Sequence, residues 1–317
     1  FGTFISFDNG ATWQPFQLNL PATVISDMKV YRKDLVVATQ GRGFWIVDNL
    51  TPLHQITDAV AAARAHLFTP RTAYRGSREP AHIDYFLNGP VQGTVTLEIV
   101  DGAGTIMRSF TSDTAAARPS AAARPGMPGS QGARFGEAAG APSLPVATGL
   151  NRFEWDLRVS GAGTAGRGAG PMEAPGHYTA RLLVPGARPL TAPVVVAVDP
   201  RLLADGIGVE DLQAQFELAA RVAQLMSDVQ QLQSDIRAAR DSLAGNTGAL
   251  ARLDALEQRV VTRSGQAYPQ PMLAAQISYL NGIVSRGDNR PHRDAYVRHD
   301  ELRAQVDAAR TELQQIQ

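Results

Sequence analysis

Residues 6–13 read Ser-Phe-Asp-Asn-Gly-Ala-Thr-Trp, and this octapeptide decides how the first part of the chain is interpreted. Its centre, Asp8-Asn9-Gly10, is a turn signal between two extended segments, so the octapeptide predicts a strand–turn–strand hairpin. The side chains of Ser6 and Asp8 can exchange hydrogen bonds with backbone groups of the turn. Gly10 can adopt a positive φ, and we expect Trp13 to pack its ring under the turn.

The hairpin opens a series of short predicted strands that occupies residues 1–50. Runs rich in β-branched and aromatic residues predict strands at Val24–Tyr31, Leu35–Thr39 and Phe44–Val47. Four short antiparallel strands in about fifty residues match the size of one β-propeller blade. A lone blade has exposed edges and no closed core, so we expect it to pair with residues outside this sequence. Because the chain opens inside a strand pattern, we interpret it as the C-terminal piece of a longer protein.

The octapeptide fits the Asp-box pattern S-x-D-x-G-x-T-W through Ser6, Asp8, Gly10, Thr12 and Trp13. On these residues the chain resembles the BNR/Asp-box β-propellers, the group that includes sialidases and sortilin-like ectodomains. Residues 34–48 are similar to the closing blade of large bacterial members. The resemblance implies a bacterial protein that is secreted, periplasmic or held at the cell surface. It also implies that the box stabilises a hairpin on the propeller rim, away from the central pocket.

The resemblance favours a non-catalytic C-terminal portion that closes the propeller and has structural or binding roles. Its partner is then the remainder of the propeller, with a glycan or a protein as the candidate ligand. Two alternatives stay open: the accessory region of a sialidase-like glycoside hydrolase, and a sortilin-like propeller that binds peptides or proteins. Sialidases carry their catalytic groups on several blades, so no catalytic residue is assigned here and whether the parent protein is an enzyme stays open.

Arg42 lies between Gly41 and Gly43, which allow the backbone to approach a neighbour or a ligand closely. It is a candidate for contact with the propeller axis. The alternative is a structural arginine that ties the last blade to the first.

Residues 51–78 read as a connector. Near its end lie Arg71, Tyr74, Arg75 and Arg78, and arginine side chains suit carboxylate ligands. The simpler interpretation is a solvated connector whose arginine stems pack on neighbouring residues.

Residues 79–200 predict a β-sandwich, and residues 149–156 and 175–182 resemble the Ig/fibronectin-like accessory modules of secreted bacterial proteins, which implies that the sandwich is of that kind. In Thr94–Val100 the apolar residues Val95, Leu97 and Ile99 alternate with polar ones, which is typical of a half-buried strand. Residues 115–143 are dominated by Ala, Pro, Gly, Ser and Arg and predict a disordered loop. Residues 161–175 predict a shorter loop of the same kind. The carboxylates Glu154 and Asp156 are expected on the solvent-facing side of a strand.

Residues 205–317 predict a helical domain. Apolar residues from Leu212 to Leu243 recur at steps of three and four and predict one long helix. Three further amphipathic segments follow, separated by Gly and Pro, which indicates an up-and-down bundle or two long hairpins. The predicted fold class is therefore multidomain β plus α: a terminal propeller blade, a sandwich and a C-terminal helical bundle.

Composition excludes several functional classes. The formal net charge is +0, which argues against a nucleic-acid partner or a polybasic membrane anchor. The chain has no cysteine, so disulfides, thiolate nucleophiles and Cys-ligated metals are excluded. No apolar run approaches the length of a membrane span. Two of the six histidines, His292 and His299, could share a helix face, but we expect ordinary surface histidines, and we assign neither a metal site nor a cofactor.

Overall fold

The computed structural model describes residues 2–77, 79–112, 143–161, 169–262 and 270–317. The predicted combination of β-sheets and α-helices is confirmed, with the sheets in the first two thirds of the chain and the long helices in the last third. The predicted disordered loop at 115–143 lies outside the described residues, except for its last residue, Ser143.

The first fifty residues form two small sheets. Strands β1 (Phe4–Ile5) and β2 (Gln14–Pro15) pair as a hairpin, and β3 (Ile25–Tyr31), β4 (Asp34–Thr39) and β5 (Phe44–Val47) form an antiparallel meander. The strands therefore do not form one four-stranded sheet. We call the second unit the three-stranded sheet.

Two larger sheets follow, and they face each other across one apolar core. The first contains β6 (Ala65–Leu67), β8 (Ala81–Leu87) and β11 (Gly149–Trp155) in the order β11-β8-β6. The second has the order β10-β9-β14-β15-β7. Its strands are β7 (Ala73–Arg75), β9 (Thr96–Val100), β10 (Ile106–Thr111), β14 (Gly176–Leu183) and β15 (Leu190–Val198). All neighbours in these sheets are antiparallel except β7 and β15.

The core between the two sheets contains the residues that alternation places inside. Val95, Leu97 and Ile99 are fully buried, and they share one cluster with Tyr85 and Trp155 from the opposite sheet. We refer to the two sheets and this core, together with a small two-stranded sheet (Arg158–Ser160 with Ala169–Met172) that contacts β10, as the two-sheet unit.

Two segments for which the sequence predicts no strand belong to this unit. The predicted connector at 51–78 contains β6 and β7, as well as a short helix α1 (Asp58–Ala62). The predicted loop at 161–175 contains β13 (Ala169–Met172), which pairs with β12 (Arg158–Ser160). A short strand has too few residues to show a clear alternation. Whether it forms therefore depends on its pairing with residues that are distant in the chain.

In residues 200–262 and 270–317, four long helices form a bundle, which is preceded by the short helix α2 (Pro200–Ala204). The bundle helices are α3 (Val209–Ser242), α4 (Thr247–Val260), α5 (Leu273–Val284) and α6 (Arg293–Ile316), and all four contribute to one apolar core. α3 is about 50 Å long at ~1.5 Å per residue, and it contacts β13 of the two-sheet unit. None of the helices in the described ranges has the length and hydropathy to cross a bilayer.

Candidate functional site

The turn of the β1–β2 hairpin is closed by side-chain hydrogen bonds within residues 6–13. Thr12 donates twice to the Asp8 carboxylate, from its amide to Oδ1 at 2.8 Å and from its hydroxyl to Oδ2 at 2.6 Å. The Ser6 hydroxyl donates to Asp8 Oδ1 at 2.8 Å and accepts from the Gly10 amide at 2.7 Å. The hydrogen bonds expected of Ser6 and Asp8 are therefore present, and both Asp8 oxygens are occupied within the turn.

The conformation and the charge of the turn follow from this arrangement. Gly10 has φ 88°, as predicted, and Asn9 has φ 55°, a region that asparagine tolerates better than most residues. The hydrogen bonds from Thr12, followed by that from Ser6, lower the pKa of Asp8 from 3.8 to about 2. The carboxylate is consequently ionised across the physiological range and serves as an acceptor.

The expectation that Trp13 packs under the turn is only partly correct. Its ring lies beside Gly10, where a Cβ would come within 3.6 Å of the indole, but the side chain is 62% exposed. The two extended segments are too short to cover the ring.

One face of the three-stranded sheet is covered by the segment after β2. Opposite residues in adjacent antiparallel strands share a face, which places Met28, Val37 and Trp45 together. A crevice of about 30 Å³ separates Leu35, Val37 and Trp45 from Phe16, Leu18 and Leu20. Val37 is 3% exposed, so this face is covered at its centre, whereas Met28 at the β3 edge is exposed.

The opposite face carries the charged residues Asp27 and Lys29 in β3 and, beside them, four apolar residues: Val36 and Ala38 in β4 and Phe44 and Ile46 in β5. Phe44 is 79% exposed and Ile46 58% exposed, and the two β4 residues are half-buried. We call these four residues the open face. Sheets that are covered on both faces have nearly continuous apolar strands, and the run Leu35 to Ala38 has that composition.

Exposed apolar side chains are concentrated in this part of the molecule. Of the nineteen large hydrophobic side chains that are exposed in the described residues, ten lie between Phe4 and Ile46. Contiguous exposed apolar surface on a folded unit marks a contact with another surface. The two small sheets are therefore the candidate interaction site of the chain.

Arg42 lies at the tip of the β4–β5 turn. Gly41 and Gly43 beside it have φ 80° and φ 74°, and the Arg42 carbonyl accepts a hydrogen bond from the Trp45 indole at 3.0 Å. The Arg42 side chain is exposed. It is free to reach a neighbouring surface, and its contact with a propeller axis stays a prediction.

The three-stranded sheet is attached to the two-sheet unit by a buried polar network. Asn49, which is 3% exposed, donates from Nδ2 to Asp84 Oδ2 at 3.0 Å, and Arg152 Nε donates to Asp84 Oδ1 at 2.8 Å. The Asp34 carboxylate accepts from the Asn49 amide at 2.7 Å and from Arg71 at 2.9 Å. These contacts fix the orientation of the sheet and of its open face.

The arginines of the predicted connector have different environments. Arg71 and Tyr74 line an open cleft of about 770 Å³, where Arg71 pairs with Asp34 and, at 3.5 Å, with Glu79. Arg78 lies outside the described residues. The prediction of a solvated side chain is wrong for Arg75, which is 3% exposed.

Arg75 joins the two-sheet unit to the helical bundle. Its Nε donates to Asp288 Oδ1 at 2.6 Å and its NH2 group to Gln215 Oε1 at 2.7 Å, both in the bundle. Its NH1 group donates to the carbonyls of Met172 and Glu173 at 2.8 and 2.6 Å. Four of the five guanidinium N–H groups are thus satisfied, as a buried charge requires. Sequence reasoning named Arg75 but missed its role, because the partners of its guanidinium are distant in the chain.

The remaining titratable candidates have structural partners. Glu154 and Asp156 are exposed, as predicted, and Asp156 pairs with Arg108 at 2.7 Å. His292 is exposed, but His299 is only 8% exposed, so the prediction of a surface histidine is wrong for His299, which packs inside the bundle. Within the described ranges no three His, Asp or Glu side chains gather into a group that could hold a metal ion.

Comparison of this chain with protein-family models, with curated proteins and with solved structures finds no match.

Proposed function

We propose that residues 1–50 are the terminal part of an Asp-box β-propeller and that the chain is the non-catalytic C-terminal portion of an exported propeller protein. In this proposal the β1–β2 hairpin and the three-stranded sheet belong to neighbouring blades. The function of the chain is to close the ring and to hold or dock it through the units that follow.

The open face carries the proposal. In a propeller each blade lies between two others, so both faces of its sheet are apolar and covered. The Val37 face already contacts the segment that leads from the hairpin, whereas Phe44 and Ile46 on the other face are exposed. A further blade is the occupant that we propose for the exposed apolar side chains of this face.

The Ser6–Trp13 turn supports the same proposal. All five residues that match the Asp-box pattern contribute to the hairpin: Ser6, Asp8 and Thr12 through hydrogen bonds, Gly10 through its φ and Trp13 through its contact with Gly10. The residues act on the turn itself, which favours a structural role for the box over a catalytic one.

The two later units fit a docking role. We propose that the two-sheet unit is an Ig/fibronectin-like accessory module. The Asp84–Arg152 network on one side and Arg75 on the other connect it to the three-stranded sheet and to the bundle. Buried polar contacts with directional geometry fix relative orientation.

A photo-crosslinking experiment tests the proposal. A photoreactive phenylalanine analogue replaces Phe44 in the protein as its source organism makes it, and the crosslinked peptides are sequenced. We expect crosslinks to a strand of a further blade. The matched control places the same analogue at Ser109, an exposed position of β10, where we expect no such crosslink.

Two outcomes would contradict the proposal. One is an analogue at position 44 that stays uncrosslinked in the native protein, and the other is a crosslink to a segment without strand character. Hydrolysis of a fluorogenic sialoside by the 317-residue chain would separately contradict its non-catalytic role.

A further inference from the structure

Glu173 lies where the two-sheet unit meets the bundle. It follows β13, the strand that contacts α3, and it precedes β14. Its amide donates to the Leu157 carbonyl at 2.6 Å, and its own carbonyl accepts from Arg75 at 2.6 Å. Through Arg75 the segment 172–173 is therefore connected to Gln215 and Asp288 of the bundle.

The carboxyl group of Glu173 is buried and incompletely paired. The residue is 2% exposed, and its Oε1 atom has no hydrogen-bond partner among the described residues. Its Oε2 atom lies 3.2 Å from the hydroxyl of Tyr178, and the same hydroxyl lies 2.6 Å from the Ala174 carbonyl.

The donors around this carboxyl group are incomplete. A phenol has a single proton to donate, so the Tyr178 hydroxyl divides it between Glu173 Oε2 and the shorter contact with the Ala174 carbonyl. A carboxylate at this position keeps that hydroxyl and a backbone hydrogen bond from Ala174, and both lower its pKa. Its buried Oε1 atom, however, has no donor among the described residues.

We propose that the protonation state of Glu173 controls how tightly the two-sheet unit holds the helical bundle, with the neutral acid closing the junction and the carboxylate loosening it. An ionised carboxylate that is buried with one oxygen lacking a donor gains free energy by moving towards water. The backbone of residue 173 moves with its side chain, and this withdraws the carbonyls of Met172 and Glu173 from Arg75.

The surrounding charges set the pH range. Burial raises the pKa of Glu173 from 4.5 to about 7, although the hydrogen bonds from Tyr178 and from the backbone of Ala174 lower it. Asp101, from the turn after β9, also raises this pKa, and Arg75, from β7, lowers it. Tyr178, from β14, is the other titratable neighbour, and burial raises its pKa too. On the bundle side, Asp288 binds the Arg75 guanidinium.

The sign of the effect follows from proton linkage. Between about pH 4.5 and about pH 7 the closed junction binds more protons than an open one, so rising pH favours opening. If opening restores the ordinary pKa, the open population rises by up to about two orders of magnitude across this range and is constant above it.

Hydrogen exchange provides the first test. The amide of Glu173 is a local reporter because it is hydrogen-bonded to Leu157. We expect its protection factor, corrected for the intrinsic pH dependence of exchange, to fall by up to about 100-fold between about pH 5 and about pH 8.

In Glu173→Gln, whose amide donates to Tyr178 like the neutral acid, we expect a constant protection factor. Glu217→Gln, on the exposed side of α3, is the matched control and keeps the wild-type response.

Spin-label distances provide the second test. The chain has no cysteine, so Ser109→Cys in β10 and Ala238→Cys in α3, both exposed, give one label in each unit. We expect the distance distribution to broaden from about pH 5 to about pH 8 and to stay narrow at both values with Glu173→Gln.

Unchanged wild-type protection and distances across this range would overturn the proposal. The same pH response in Glu173→Gln as in the wild type would also overturn it. The wild-type measurements test the proposal even if Glu173→Gln does not fold.

Discussion

The Ser6–Trp13 turn places an aromatic residue at the surface. Its hydrogen bonds are local and complete, yet the indole of Trp13 is 62% exposed and touches little beyond Gly10. The stabilisation that a large ring contributes depends on the area that it removes from water. Trp155, in β11, is the opposite case, because it is fully buried in the core of the two-sheet unit.

Matched tryptophan substitutions test this difference. We expect Trp13→Ala to lower the free energy of unfolding by about 1 kcal/mol or less, because little buried area is lost. Trp155→Ala should lower it by about 3–5 kcal/mol, since it leaves a large cavity. Urea unfolding of both variants measures the two values, and equal losses would show that Trp13 is packed.

At the scale of the element, the three-stranded sheet differs from the sheets of the two-sheet unit. Its strands β4 and β5 are largely apolar, but the sheet buries fully only Val37. The two-sheet unit instead buries alternate residues of each strand against the opposite sheet. Strands β4 and β5 thus have the composition of covered strands and the accessibility of uncovered ones.

Substitutions on the two faces of the three-stranded sheet test which face is packed within the chain. Phe44→Lys with Ile46→Lys, on the open face, should change the stability of the chain by about 0.5 kcal/mol or less per site and reduce the binding of a hydrophobic dye. Val37→Lys, on the covered face of the same sheet, should unfold the sheet because it buries an unpaired charge. Circular dichroism and dye fluorescence distinguish the outcomes; a loss of structure in the open-face variant would mean that this face is packed within the chain.

At the scale of the whole molecule, two arginine-centred junctions connect three units. Arg152 and Asp84 connect the three-stranded sheet to the two-sheet unit, and Arg75 connects that unit to the bundle. Charged groups that are buried in this way are costly unless their partners are kept, so separating the units exposes a penalty at each junction.

Arg75→Met tests the coupling. We expect a loss of about 3 kcal/mol, because the partners of the guanidinium stay buried without a donor. We also expect the bundle to unfold separately from the two-sheet unit in calorimetry. Arg201→Met is the matched control: Arg201 pairs with Asp199 but is 78% exposed, so its loss should cost about 1 kcal/mol or less. A single unshifted transition in Arg75→Met would contradict the coupling.

Local features of the molecule could be predicted from the residues alone. The hydrogen bonds of Ser6 and Asp8 and the buried alternation of Val95, Leu97 and Ile99 were predicted correctly. The stripe of α3 was predicted less well. The apolar steps predict Phe216, Ala223 and Met226 in the stripe, but these are only half-buried, whereas Leu218, Val222 and Leu225 beside them are fully buried. A helix that packs on several neighbours buries more than one stripe, and periodicity reports only the strongest.

The sequence by itself determined the turns, the strands with clear alternation and the helices, because these depend on residues a few positions apart. Only the tertiary structure decided that Arg75 is a buried junction and that Glu173 lies beside it without a full set of donors. The contact between Arg75 and Asp288 spans 213 positions. The environment of a charged side chain is set by such distant partners, and no local pattern encodes them.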